Sequence, residues 1–181
     1  PLYAGLASRA QAARLVEHLT DPDEFGTPYP CPSIAMNTPE IDPALITYGG
    51  DVLLTSGLWF TVEGLARYGY RELAAEYVWR ALRMVGAQDG PGSSYSYHAL
   101  TGQPNQPKHT LAAQSVILTD LIGKYVVGIR PTPDGGVTLD PWTWQQAGIT
   151  RLEFGPFLYC DRWLTVRRQE GGRWTVEMWP R

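Results

Sequence analysis

The chain has 181 residues, 44% of them apolar and only 18% charged, which leaves room for one packed domain, or one and a small appendage, and describes a globular rather than a disordered protein. A net charge of −3 with no block of lysines and arginines offers nothing to attract a nucleic acid or an anionic membrane. No run reaches the ~18 apolar residues that a membrane span needs, and the opening residues do not read as a signal peptide, so a cytoplasmic protein is expected.

Residues 1–7 are apolar but irregular, and Pro1 without an initiator Met suggests a processed product or part of a longer polypeptide. Ser8-Arg-Ala-Gln11 then reads as a capping box. The helix it opens has Ala12, Leu15, Val16 and Leu19 on one face and stops near Asp21-Pro22, since proline cannot continue the hydrogen-bond ladder. The connection from Asp21 to Thr47 carries Pro22, Pro28, Pro30, Pro32, Pro39 and Pro43. A connection this long is either a spacer or an ordered crossing over one end of the helical layer, and its stiffness favours the crossing.

Gly49-Gly50 breaks the chain before an apolar segment with helical spacing: Val52, Leu54, Leu58, Trp59, Val62 and Leu65. This predicts a helix over 52–68, apolar nearly all round and therefore buried, with Gly69 as its left-handed C-cap. A second helix over 71–86 follows at once, with Leu73, Ala74, Tyr77, Val78, Ala81, Leu82 and Val85 on one side. So short a turn makes the pair an antiparallel hairpin.

The turn-rich stretch Gln88–Ser94 leads to Tyr95-Ser-Tyr-His-Ala-Leu-Thr-Gly102 and a second proline-bearing loop. A further helix is expected over Leu111–Tyr125, with Leu111, Ser115, Leu118 and Ile122 in one stripe and Val116 beside it. At Val126 the period changes from helical to alternating. Strands are expected at Val127–Ile129, Val137–Leu139, Arg151–Phe154, Phe157–Tyr159, Trp163–Arg167 and Trp174–Trp179, with Gly171-Gly172 turning the last pair. The fold class is thus mainly α, with helical hairpins over residues 1–125 and a small C-terminal β-region over 126–181.

No phosphate loop, zinc spacing or nucleotide fingerprint is present, so neither a cofactor nor a metal is expected. Cys31 and Cys160 stand far apart and read as two free thiols of a reducing compartment rather than a disulfide. Seven Trp and ten Tyr supply planar apolar rings, which suit a core, a protein interface or the face of a sugar. His18 reads as a surface residue. His98 and His109 flank the aromatic loop, where they either meet a ligand or make loop hydrogen bonds. Asp51 follows the glycine pair at the expected helix start, where a carboxylate is favoured by the free N–H groups. That structural role competes with a catalytic one.

The order of these parts resembles the C-terminal end of the six-hairpin glycosidases, the (α/α)6-barrel group that includes glucosidase family 63, trehalases and mannosylglycerate-hydrolase-like enzymes. In that group a Tyr-Trp-x-Gly-x-x-Trp segment precedes a helix ending in Gly-Leu-x-x-Tyr-Gly. Here Tyr48-Gly-Gly-Asp51 precedes a segment ending in Gly64-Leu-Ala-Arg-Tyr-Gly69. A later Glu-x-Tyr-x-Pro-x-Thr-Gly segment lines the sugar site in the group, and Tyr95–Gly102 stands in its place. Pro1-Leu-Tyr-Ala-Gly-Leu6, the Phe25–Ser33 loop and Ile129–Gly136 are similar to the group as well. The resemblance covers nearly the whole chain and implies part of an (α/α)6 toroid that processes carbohydrate.

The departures bear directly on activity. The group is generally inverting, with one carboxylic acid protonating the leaving oxygen and a second carboxylate activating water. By resemblance the acid lies in helices before the part represented here. The base position falls on Tyr95, and no Glu occurs between Glu76 and Glu153. The second Trp of the first motif is replaced by Leu53 or Leu54. The resemblance therefore implies the C-terminal portion of a glycoside hydrolase, inactive alone, or a non-catalytic carbohydrate-binding, assembly or structural module descended from one. Its implied partners are carbohydrate, together with a missing N-terminal portion or a self-associating copy. Sugar is expected against Tyr95, Tyr97 and His98, with Tyr48, Asp51 and Trp59 nearby. Asp51 is the one residue able to stand in as a catalytic carboxylate.

Overall fold

The computed structural model describes residues 1–39, 51–87, 94, 96–105, 112–142 and 150–181. These divide into two compact units, Pro1–Ile122 and Gly123–Arg181. Among the described residues, no helix is long and apolar enough to cross a membrane.

In the first unit, α1 (Arg9–Thr20) opens with the capping box that its sequence spells. The Ser8 hydroxyl accepts from the Gln11 N–H at 3.3 Å, and the Gln11 side chain accepts from the Ser8 N–H at 2.8 Å. Asp21 closes the helix by donating to the Glu17 and His18 carbonyls, just before Pro22. Of the expected apolar face, Ala12 is buried, while Leu15, Val16 and Leu19 are half-buried.

The helix expected over 52–68 begins later. Asp51–Val52 form a strand, β1, and Leu54–Leu58 make a π-helical turn before α2 (Trp59–Arg67). The cause lies in the competing ladder: Val52 pairs with Tyr97 on one side and bridges Pro32 on the other. A backbone group engaged in that way is not available to a helix. Nor is the helix buried all round, since Phe60 is 40% exposed and Trp59 half-buried. Its core face is Val62, Gly64 and Leu65, continuing from Leu54 and Leu58, and complete burial of an apolar side chain of this size contributes about 1.5–3 kcal/mol.

α2 ends in a Schellman turn. The Tyr70 N–H reaches back to the Leu65 carbonyl, the Gly69 N–H reaches the Ala66 carbonyl, and Gly69 has φ +91°. After this short turn α3 (Arg71–Gly86) buries Ala74, Ala75, Tyr77, Val78, Ala81 and Met84. α4 (Ala112–Leu121) follows, and α2, α3 and α4 all pack on one another. Of the expected stripe, Leu118 and Ile122 are buried, together with Leu121, whereas Ser115 and the neighbouring Val116 are exposed, and Leu111 lies outside the described residues.

The chain runs on from α4 through a π-helical stretch, Ile122–Val127, so the first strand of the C-terminal region starts at Ile129 rather than Val127. β3 (Ile129–Pro131) and β4 (Val137–Leu139) form an antiparallel hairpin. β5 (Leu152–Tyr159), β6 (Arg162–Arg168) and β7 (Trp174–Pro180) form an antiparallel meander in that order. The strands expected at Arg151–Phe154 and Phe157–Tyr159 are halves of one strand. Both halves pair with β6, and the register shifts between Phe154 and Phe157. Gly155, at φ +128°, and Pro156, which has no N–H to pair, let the chain bulge without leaving the sheet. Cys160 (φ +47°) and Asp161 (φ +61°) make the tight β5–β6 turn, and Gly171-Gly172 make the β6–β7 turn as expected.

Candidate functional site

Three of the residues expected to touch a ligand, Asp51, Tyr97 and His98, meet in a small ladder in the first unit. β1 pairs with β2 (Tyr97–His98) in antiparallel register, Asp51 opposite His98 and Val52 opposite Tyr97. Pro32 bridges the outer side of Val52, and Pro104 bridges the outer side of Tyr97. Four stretches of chain therefore lie side by side: the proline loop, β1, β2 and the loop after β2. Tyr29 also donates its N–H to the Ala99 carbonyl at 3.0 Å, and Ser33 donates its N–H to the Asp51 carbonyl at 2.9 Å. Over its described part, to residue 39, the proline connection is thus an ordered crossing and not a spacer.

Opposite residues of a ladder share a face, and successive residues alternate between faces. Val52 and Tyr97 point into the core and have no exposed surface. Asp51 and His98 share the other side.

Asp51 is only 3% exposed. The Ser33 hydroxyl sits 3.1 Å from its carboxylate Oδ1 and 2.9 Å from its backbone carbonyl. This corrects the expected helix-start role: Asp51 is a strand residue, and the π-helical turn after it has Leu53 at its cap with no side-chain bond. Ser33 was not singled out by its sequence, although its place in a stiff proline loop was the available signal.

His98 makes the loop hydrogen bonds that competed with ligand binding in the sequence. Its Nδ1 accepts from the N–H groups of Leu100 at 3.1 Å and Thr101 at 3.4 Å. Two donors on Nδ1 select the neutral tautomer that carries its proton on Nε2. The turn is closed by the Gly102 N–H donating to the His98 carbonyl and the His98 N–H donating to that of Gln103, both at 2.8 Å. Gly102 has φ +71°, and a Cβ there would lie 2.6 Å from the Tyr29 ring, so the glycine of the Thr-Gly pair is required by both backbone and packing.

Tyr97 has no exposed surface, and its hydroxyl accepts from the Ser94 N–H at 2.7 Å. Burial raises its pKa and keeps the phenol neutral. A ring held this way has no free face for a pyranose. Among the described residues, the buried Ser94 hydroxyl has no hydrogen-bond partner. Trp59 takes part in a different grouping, 5.9 Å from the ring of Tyr3 and 5.0 Å from that of Phe60. Tyr48, Tyr95 and His109 lie outside the described residues.

The crossing loop is also pinned to α3. Arg80 donates to the Thr27 carbonyl at 3.3 Å and pairs with Glu76. The buried Cys31 thiol is pushed up to about 12 by loss of water, against the lowering influence of Thr61 and Arg80. Both Cys31 and the exposed Cys160 are free thiols. Among the described residues, no three His, Cys, Asp or Glu side chains group to hold a metal. The ladder therefore presents one carboxylate, one neutral imidazole and a serine hydroxyl, a set suited to recognising hydroxyl groups.

Residues 1–113 match the family described as the mannosylglycerate hydrolase MGH1-like glycoside hydrolase domain. Among solved structures, the GH63 mannosylglycerate hydrolase from Thermus thermophilus in complex with glucose is 26% identical, with a TM-score of 0.55 over 65% of this chain and 29% of that one. The same enzyme in complex with Tris and D-glycerate matches at 25% identity and a TM-score of 0.55, over 68% of this chain and 28% of that one. A sialidase shares the fold over 98% of this chain and 18% of its own length, at 14% identity and a TM-score of 0.64. The chain thus spans less than a third of the length of each of these proteins.

Proposed function

Since the chain belongs to the mannosylglycerate hydrolase MGH1-like glycoside hydrolase family, we propose that it forms part of an (α/α)6 toroid and binds carbohydrate at the β1–β2 ladder without hydrolysing it alone. The observation that carries this reading is the register that sets Asp51 against His98. It brings two separate motifs of the glycosidase resemblance side by side, which supports a shared hydroxyl-binding surface. On this reading the chain is the C-terminal portion of an inverting enzyme whose remaining helices complete the toroid and supply the acid. The solved mannosylglycerate hydrolase, of which this chain spans 29%, supports that assignment. Two free thiols fit the reducing conditions of a cytoplasmic protein.

A second reading, a non-catalytic carbohydrate-binding or assembly module, is favoured by one feature of the sequence. No Glu occurs between Glu76 and Glu153, so the base position, Tyr95, carries no carboxylate. A tyrosine with an ordinary pKa near 10 does not activate water at neutral pH. Titration calorimetry of the purified chain with D-glucose and D-mannose tests sugar binding. Saturable heat that is lost in Asp51→Asn is expected. The absence of binding to either sugar would remove the carbohydrate role.

A further inference from the structure

We infer that Asp51 and His98 form a clamp for a vicinal diol, the carboxylate accepting a hydrogen bond from one hydroxyl and the imidazole Nε2–H donating one to its neighbour. The inference rests on the carbohydrate reading above and names the chemical group recognised. Three features lead to it. The pair is directly opposed in the ladder, and opposed residues hold their Cβ atoms about 4.5–5.5 Å apart on one face, a spacing matched to two adjacent hydroxyls. The Leu100 and Thr101 N–H groups occupy Nδ1, so the neutral ring has its proton on Nε2 and acts there as a donor. That N–H need not be idle before the ligand arrives, since one N–H can be shared between two acceptors. Ser33 holds the carboxylate through Oδ1. A donor beside an acceptor satisfies a diol, in which one hydroxyl gives its proton and the other receives one.

The enclosure gives the clamp its selectivity. Asp51 is 3% exposed and His98 is half-buried, so both groups are already largely shielded from water before a ligand arrives. A ligand lacking one hydroxyl forgoes one of the clamp's two hydrogen bonds, and sites built to hydrogen-bond a hydroxyl discriminate against analogues without it.

Nitrogen-15 NMR of the whole chain reads the tautomer first. His98, assigned by the loss of its signals in His98→Leu, is expected with Nδ1 unprotonated and Nε2 protonated at neutral pH. A proton on Nδ1 would overturn the clamp. Ligand titrations followed by the same spectra then use D-glucose, cis-1,2-cyclohexanediol and cyclohexanol. Glucose and the diol are expected to move the His98 resonances, and cyclohexanol is not. His98→Leu and Asp51→Asn should each weaken glucose binding about tenfold or more, and His98→Gln, whose amide restores a donor, should weaken it less. Glucose affinity unchanged in His98→Leu, or cyclohexanol binding as well as the diol, defeats the clamp while leaving carbohydrate binding intact. The diol binding where glucose does not keeps the clamp and defeats the carbohydrate role. Neither binding defeats both.

Discussion

Asp51 lies directly opposite His98 in the β1–β2 ladder, although α2 and α3 separate them in sequence. The alignment depends on the turn after His98, which closes only if Gly102 keeps its positive φ beside the Tyr29 ring. Gly102→Ala should therefore cost more than about 1 kcal/mol, since a Cβ is disfavoured there by both backbone and packing. Its amide spectrum should show shifts at both Asp51 and His98. Denaturant melts with the spectra of the variant check this, and wild-type stability with unmoved Asp51 resonances would contradict it.

Tyr97 is expected to behave as a core residue. Tyr97→Ala removes a fully buried ring and should destabilise the chain by about 3–5 kcal/mol, as large aromatic truncations do. Tyr97→Phe loses only the hydroxyl that accepts from Ser94, with a cost of about 1–3 kcal/mol for the N–H left without a partner. Urea denaturation separates the two. A Tyr97→Ala variant with wild-type stability but weakened sugar binding would return Tyr97 to a stacking role.

The buried thiol of Cys31 makes stability depend on alkaline pH. Its folded pKa is raised from 9.0 to about 12 by burial, so above pH 9 the unfolded chain releases a proton that the folded chain retains. This contribution is fully present below pH 9 and is lost as the pH rises towards about 12. The slope is about 1.4 kcal/mol per pH unit for one proton. Tyr77, also raised by burial, adds a loss of the same sign above its ordinary range. Urea midpoints between about pH 8 and 10 should fall more steeply in the wild type than in Cys31→Ala. Equal slopes would mean that Cys31 ionises freely in the folded state.

In the first unit Leu6 is 80% exposed, Val116 67%, Tyr3 42% and Phe60 40%. Tyr3 and Phe60 lie against each other; an exposed apolar patch, where contiguous, marks a surface for a partner, and on the toroid reading further helices supply one. The chain alone should then self-associate, with sedimentation velocity showing a concentration-dependent shift that Leu6→Lys and Phe60→Ser reduce. A clean monomer at all concentrations would count against the toroid.

The helical hairpin, the capping box and the β6–β7 turn were legible because each rests on local rules, namely periodicity, a side-chain cap and a glycine pair. The β1–β2 ladder was not. Asp51 and Val52 have no strand signature of their own, and only the distant Tyr97 and Pro32 draw them out of the helix that Leu54 and Leu58 suggest. For the same reason Asp51 was expected at a helix start and Tyr97 on a sugar-facing wall. The alternation that turns Tyr97 inward and His98 outward exists only once the ladder has formed. The β5 bulge was hidden similarly, since Gly155-Pro156 reads as a break until pairing with β6 carries the chain across it.

The central claim is that this family member holds a carbohydrate site without hydrolytic machinery of its own. Inversion needs an acid and a base about 6.5–9.5 Å apart, and general acid–base catalysis contributes typically about 10²–10⁴-fold. The most direct measurement is turnover by the purified chain against a panel of aryl glycosides and disaccharides, with Asp51→Asn alongside, on samples whose sugar binding has been measured by calorimetry. Binding without turnover, in the wild type and with no gain in Asp51→Asn, is the predicted result. Turnover abolished by Asp51→Asn would make Asp51 a relocated catalytic carboxylate, and robust turnover surviving that substitution would contradict the account outright.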